Sequence, residues 1–161
     1  MDLFTLLRGT WRFHRRLHHA SGEALEAMGT ATWSPSPASP ATLAYEELGV
    51  LRSTRGAPIA DVRQLHTYHQ QPPPPGAAHG PIHVHFSDGR FFHALDLPPP
   101  LLPGARAAFA HDCAPDAYAG TFALAAPLPS ESGALALEVE WRVLGPAKSY
   151  TSTTRFWRAV E

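Results

Sequence analysis

The stretch 82-IHVHFSDGRFFHALDLPPPLLPGARAAFAHDCAPDAYAG-120 decides how the chain is read. A hairpin turning at Ser87-Asp88-Gly89 is followed by a proline-rich connection and a second pair of short strands. Alternate side chains of a strand share a face, so Phe91, His93, Leu95 and Leu97 are expected to point one way. The same rule groups Ala107, Phe109, His111 and Cys113, and after Ala114-Pro115 it groups Asp116, Tyr118, Gly120, Phe122 and Leu124. Titratable groups thus fall on the faces that carry the apolar residues, where burial without partners is costly. That coincidence points to a site without naming its substrate.

Working outward, Leu3–Leu7 reads as one short helix capped by Asp2. Gly9 opens a strand, GTWRFHRRLH, in which Trp11, Phe13, Arg15 and Leu17 share a face. Residues 23–33 form its hairpin partner, 34–40 (SPSPASP) a loop, and 41–51 and 59–70 two further strands. Residues 71–81 are an exposed, proline-rich loop and 126–133 another loop. The cleanest alternation of the chain is Leu135, Leu137, Val139, Trp141 and Val143, and Gly145-Pro146 turns it into a last strand over 148–160. About ten short strands without a sustained helical period favour a sandwich or barrel. Closure is the simplest way for so many hairpins to avoid open edges, so the expected fold is all-β: a single antiparallel barrel over 1–161.

Composition narrows the class. The 161 residues suffice for one domain with a real core, and 44% hydrophobic with 17% charged residues suits a globular protein. A net charge of −1 with no basic run beyond Arg15-Arg16 offers nucleic acid no footprint. One cysteine excludes an internal disulfide framework. The first residues lack a basic leader with a cleavage site and no window approaches a membrane span, so a cytoplasmic protein is expected.

Gly9-Thr10-Trp11 resembles the glycine-x-tryptophan start of lipocalins and other calycins, in which an indole plugs the barrel base beneath a basic residue of the last strand; Arg155 or Arg158 would be that residue. More of the chain resembles the family catalogued as domain of unknown function 6314. The resemblance is carried by Gly9-x-Trp11, Tyr45-Glu46-Glu47-x-Gly49, Asp88-Gly89-Arg90-x-Phe92-His93, His111-x-Cys113-x-x-Asp116-x-Tyr118-x-Gly120 and Gly145-Pro146-x-Lys148-x-Tyr150. Where that family reads Gly-Pro-Arg-Lys-Asp-Tyr, Ala147 and Ser149 replace the arginine and the aspartate here. The resemblance implies a calycin-like barrel and brings no settled activity.

His93, His111, Cys113, Asp116, Tyr118, Lys148 and Tyr150 lie on strands that neighbour one another in a meander, so they are candidates for a polar cluster in the lumen. Phe91, Phe109 and Trp141 are candidates for its apolar wall. On a carrier reading these residues hold a small, partly apolar ligand. On an enzyme reading His111 with Asp116 is the acid–base pair, and Tyr118 or a Lys148 of lowered pKa stabilises developing charge. The competing account is that they satisfy one another around the 114–115 corner. A protein-encoded zinc site is not expected, because His83 and His85 alternate with Ile82, Val84 and Phe86 and so face outward. No cofactor is demanded, although His93 or His111 could bind haem axially. Cys113 as a nucleophile is the weaker use of a lone cysteine, since His111 stands two residues away, ~7 Å along the strand. Of the pair Glu46-Glu47 one must face inward, and Glu46 is taken as the lumen carboxylate.

Overall fold

The Asp2 carboxylate accepts the Thr5 backbone N–H at 2.8 Å and starts the single turn-and-a-half of α1, Leu3–Leu7. The computed structural model describes residues 1–131 and 134–159; of the expected loop and last strand, Ser132, Gly133 and Val160 lie outside the described residues. After α1 come ten strands: β1 Gly9–His19, β2 Ala24–Ser36, β3 Ser39–Ser53, β4 Pro58–Gln70, β5 Ile82–Phe86, β6 Phe91–Leu95, β7 Arg106–Cys113, β8 Asp116–Ala125, β9 Ala134–Leu144 and β10 Ser149–Ala159. A 3₁₀ turn at Pro129–Glu131 interrupts the loop before β9. All pairings are antiparallel, in the spatial order β6-β5-β4-β3-β2-β1-β10-β9-β8-β7. The first and last strands of the chain are therefore hydrogen-bonded neighbours, with Phe13 opposite Phe156. The sheet rolls into an all-β barrel that is nearly closed, the seam lying between β6 and β7.

The segment expected to be a loop over 34–40 is mostly strand. β2 runs to Ser36 and β3 starts at Ser39, with a register shift at Pro35/Ser36. Pro35 and Pro40 sit at strand ends beside that irregularity, where the missing N–H is tolerated. The tetraproline loop is exposed as expected.

The base of the barrel is sealed by α1, whose Leu3, Phe4, Leu6 and Leu7 are all buried. Trp11 sits above them, fully enclosed, its indole N–H donating to the Leu7 carbonyl at 2.9 Å. The guanidinium of Arg158, rather than Arg155, lies 4.5 Å over the indole. It also donates to the carbonyls of Leu6 and Arg8, capping the end of the helix. Gly9 is required there twice over: its φ is +109°, and a Cβ would lie 2.7 Å from the Arg158 guanidinium. Arg155 instead binds Glu131 and the Ala126 carbonyl, tying the loop before β9 to the wall. No helix among the described residues is long and apolar enough to cross a membrane.

Candidate ligand-binding site

Above Trp11 and Phe13 the barrel is not filled. A cavity of about 270 Å³ remains, walled by Trp33, Tyr68, Val84, Phe109, Phe122 and Phe156 toward the base and by Arg15, His66, Trp141, Tyr118 and Tyr150 toward the open end. The aromatic walls stack on one another. Phe92 lies parallel to Trp141 at 5.2 Å and nearly parallel to His66 at 5.5 Å, while Trp33 packs against Tyr45 at 4.6 Å. Phe109 reaches the lumen because Gly120 faces it, where a Cβ would fall 2.3 Å from the ring. Burial pushes the phenols of Tyr45, Tyr68 and Tyr150 above their ordinary pKa.

The strongest polar feature of the lumen joins residues that sequence reasoning left apart. Glu47, 0% exposed, receives Nη1 and Nη2 of Arg15, one on each carboxylate oxygen at 2.7 Å, and the Tyr45 hydroxyl at 2.7 Å. Arg15 Nε donates to the Thr154 hydroxyl at 2.7 Å. The inner face of β2 carries Ala27, Gly29 and Ala31, which leaves room for the β1 arginine to reach over it to β3. The carboxylate expected in the lumen, Glu46, points outward and pairs with Arg63 at 3.0 Å. Alternation already carried the answer: Leu43, Tyr45, Glu47 and Leu51 share one face, and Arg15 shares its face with Trp11 and Phe13.

His93 is 6% exposed and stacks on Phe109 at 4.3 Å, with Phe92 and Trp141 against its other sides. Its Nδ1 is buried with no hydrogen-bond partner among the described residues. Desolvation pushes its pKa down to about 4. His66 is likewise lowered by burial and donates Nδ1–H to the His85 carbonyl at 3.3 Å. Phe91 does not join the wall: it is 50% exposed. A register shift opposes His93 to Val84 and Phe91 to His85, so Phe92 is the extra residue of a bulge and lines the cavity in its place.

The remaining expected residues gather at the open end. His111 donates Nδ1–H to the Phe92 carbonyl at 3.0 Å, bridging the β6–β7 seam, and its ring edge meets Tyr118 at 5.7 Å. Lys148 Nζ donates to the Tyr118 hydroxyl at 3.3 Å and stands 3.9 Å from Asp116 Oδ2. Asp116 thus faces Lys148, and no hydrogen bond joins it to His111 among the described residues; its Oδ1 is buried without a partner. Lys148 is not a desolvated lumen amine. Its side chain is 53% exposed, and the Tyr118 hydrogen bond raises its pKa instead of burial lowering it. Cys113 is exposed, because the strand ends there and its side chain leaves the barrel. The outward assignment of His83 and His85 holds: with His69 and Phe91 they form a ring cluster outside the wall. Among the described residues no three His, Cys, Asp or Glu side chains are grouped to hold a metal ion.

Residues 7–158 match the family of unknown function DUF6314. No curated protein matches the sequence. Among solved structures the barrel is similar to an S-type phycobiliprotein lyase from Guillardia theta, with a TM-score of 0.58 and 9% identity over 98% of this chain and 90% of that one. At that identity the likeness is one of fold.

Proposed function

The chain belongs to the family of unknown function DUF6314, and from there we propose that its barrel binds a small, partly apolar organic molecule in the lumen. The observation that carries this is the cavity of about 270 Å³, walled by stacked aromatic rings and lined also by the polar side chains of Arg15, His93, Tyr118 and Tyr150. Pockets for small ligands combine apolar walls with a few fixed polar groups, and their volumes start near ~300 Å³. The body of the ligand would lie against Phe92, Phe109 and Trp141, and its polar end would face Arg15, His93, Tyr118 and Tyr150.

The test uses N-phenyl-1-naphthylamine, an uncharged fluorophore of two aromatic parts. Saturable binding of one equivalent is expected, abolished by Ser152→Phe, which puts a ring into the cavity from β10. Binding that never saturates, or that ignores the filled cavity, would refute a lumen site. Native mass spectrometry of the purified chain would identify a natural occupant.

An enzyme on the same barrel is the second reading, favoured by the Tyr118–Lys148–Asp116 chain at the open end. There Lys148 would act as a fixed cation that orients the Tyr118 hydroxyl, with His111 Nε2 left for proton transfer. Lys148→Met and His111→Ala would then remove turnover with little change in probe affinity, whereas a carrier would show changes in affinity alone. Haem is the third reading and fits least well, since Phe92, Phe109 and Trp141 occupy the space around His93 that a macrocycle would need. A Soret band on titration with haem would restore it.

A further inference from the structure

Arg15 carries five N–H donors. Three are used, one on Thr154 and two on Glu47, and the other two have no partner among the described residues. The guanidinium lines the cavity, with its charge already matched by a carboxylate that is 0% exposed. The lumen therefore offers fixed donors without net positive charge. A second anion would face Glu47 as well as Arg15 and would give up its hydration for no unspent counter-charge. A cation would find Glu47 turned away, with both oxygens held by Arg15 and one also by Tyr45. At the open end Lys148 and Asp116 likewise balance each other.

We propose that the ligand of this lumen is electrically neutral, with a carbonyl or equivalent hydrogen-bond acceptor at its polar end directed to a spare N–H group of Arg15. This rests on the reading of the lumen as a binding site and names the chemical class that the site takes. Lipophilic amides, lactones, ketones and quinones fit; fatty acids, aromatic carboxylates and amines do not. The other groups on the wall agree. His93 and His66 are held in their neutral forms by burial, and the phenols of Tyr45, Tyr68 and Tyr150 are held protonated. Tyr118 contributes a hydroxyl already engaged by Lys148.

Three naphthalenes of nearly equal size separate the possibilities: 2-naphthamide, 2-naphthoate and 2-naphthylmethylammonium, each competing with N-phenyl-1-naphthylamine near pH 7.5. The amide should displace the fluorophore at a concentration roughly tenfold or more below either ion. Glu47→Gln uncovers the Arg15 charge and should shift the preference toward the carboxylate, and Arg15→Met should weaken the amide selectively. An ion that competes as well as the amide in the natural protein overturns the inference, and that comparison needs no variant to fold. So does an amide that fails to compete with a fluorophore that does bind. Failure of the fluorophore itself to bind saturably refutes the binding reading instead, so the two outcomes are distinct.

Discussion

Glu46 and Glu47 are neighbours in sequence with opposite surroundings, and the pleat alone separates them. Glu46 makes an exposed pair with Arg63, which contributes at most about 1 kcal/mol. Glu47 is enclosed with Arg15, so removing either charge alone strands the other in the lumen. Glu47→Ala should cost about 3–5 kcal/mol in urea unfolding, while Arg15→Met with Glu47→Leu should recover most of it. The parity was legible in 41-ATLAYEELGVL-51; that Arg15 would cross β2 to reach Glu47 was not, because it depends on small residues at Ala27 and Gly29 of a third strand. His93 supplies a pH dependence. Its folded pKa of about 4 lies below the ordinary 6.5, so between these values the unfolded chain binds more protons. Its stabilising contribution is complete above about pH 6.5 and falls as the solution is acidified toward 4. About 2 kcal/mol should be lost between pH 7.5 and 5 from this residue, with His66 acting in the same direction. His93→Leu should flatten that slope; an unchanged slope would show that His93 does not remain neutral in the fold.

At the scale of elements, turns and alternation were legible and irregularities were not. The Ser87-Asp88-Gly89 turn and the β9 alternation stand where the sequence puts them, and so does the Asp2-capped helix. The bulge that exchanges Phe91 for Phe92 carries no local signal, since both are phenylalanine and only the pairing with β5 decides which is extra. The glycine-x-tryptophan start was legible as a motif, and its reason is now physical: Gly9 admits the Arg158 guanidinium. Gly9→Ala should lower stability by about 1–2 kcal/mol through the forced positive φ and the displaced arginine. The seam between β6 and β7 lacks ladder bonds, and His111 holds it through the Phe92 carbonyl. Amide hydrogen exchange should accordingly be fastest among the strands in β6 and β7, and His111→Phe should accelerate it there while leaving β1 and β10 protected. Equal protection around the whole wall would show that the seam is closed by other means.

Across the whole molecule the barrel divides into a sealed base and an unfilled upper half. Trp11, Leu7, Phe13, Leu43 and Leu137, among its most enclosed side chains, pack that base. The upper half gathers the charged pair, the imidazoles and the Tyr118–Lys148 contact around empty space. Strand count and motif order were enough for the barrel, because each strand reports its own alternation. The division was not legible, because whether inward side chains fill a lumen depends on the summed volumes of ten strands. It does have a consequence that two substitutions can read separately. Leu7→Ala, at the base, should cost about 2–5 kcal/mol of stability with little change in the dissociation constant of N-phenyl-1-naphthylamine. Ser152→Phe, on the cavity wall, should abolish binding while the unfolding free energy falls by no more than about 1–3 kcal/mol, since its ring enters space that is already open. If both substitutions lowered stability and affinity in the same proportion, base and lumen would be one cooperative unit, and the upper half would be packed core and no binding site.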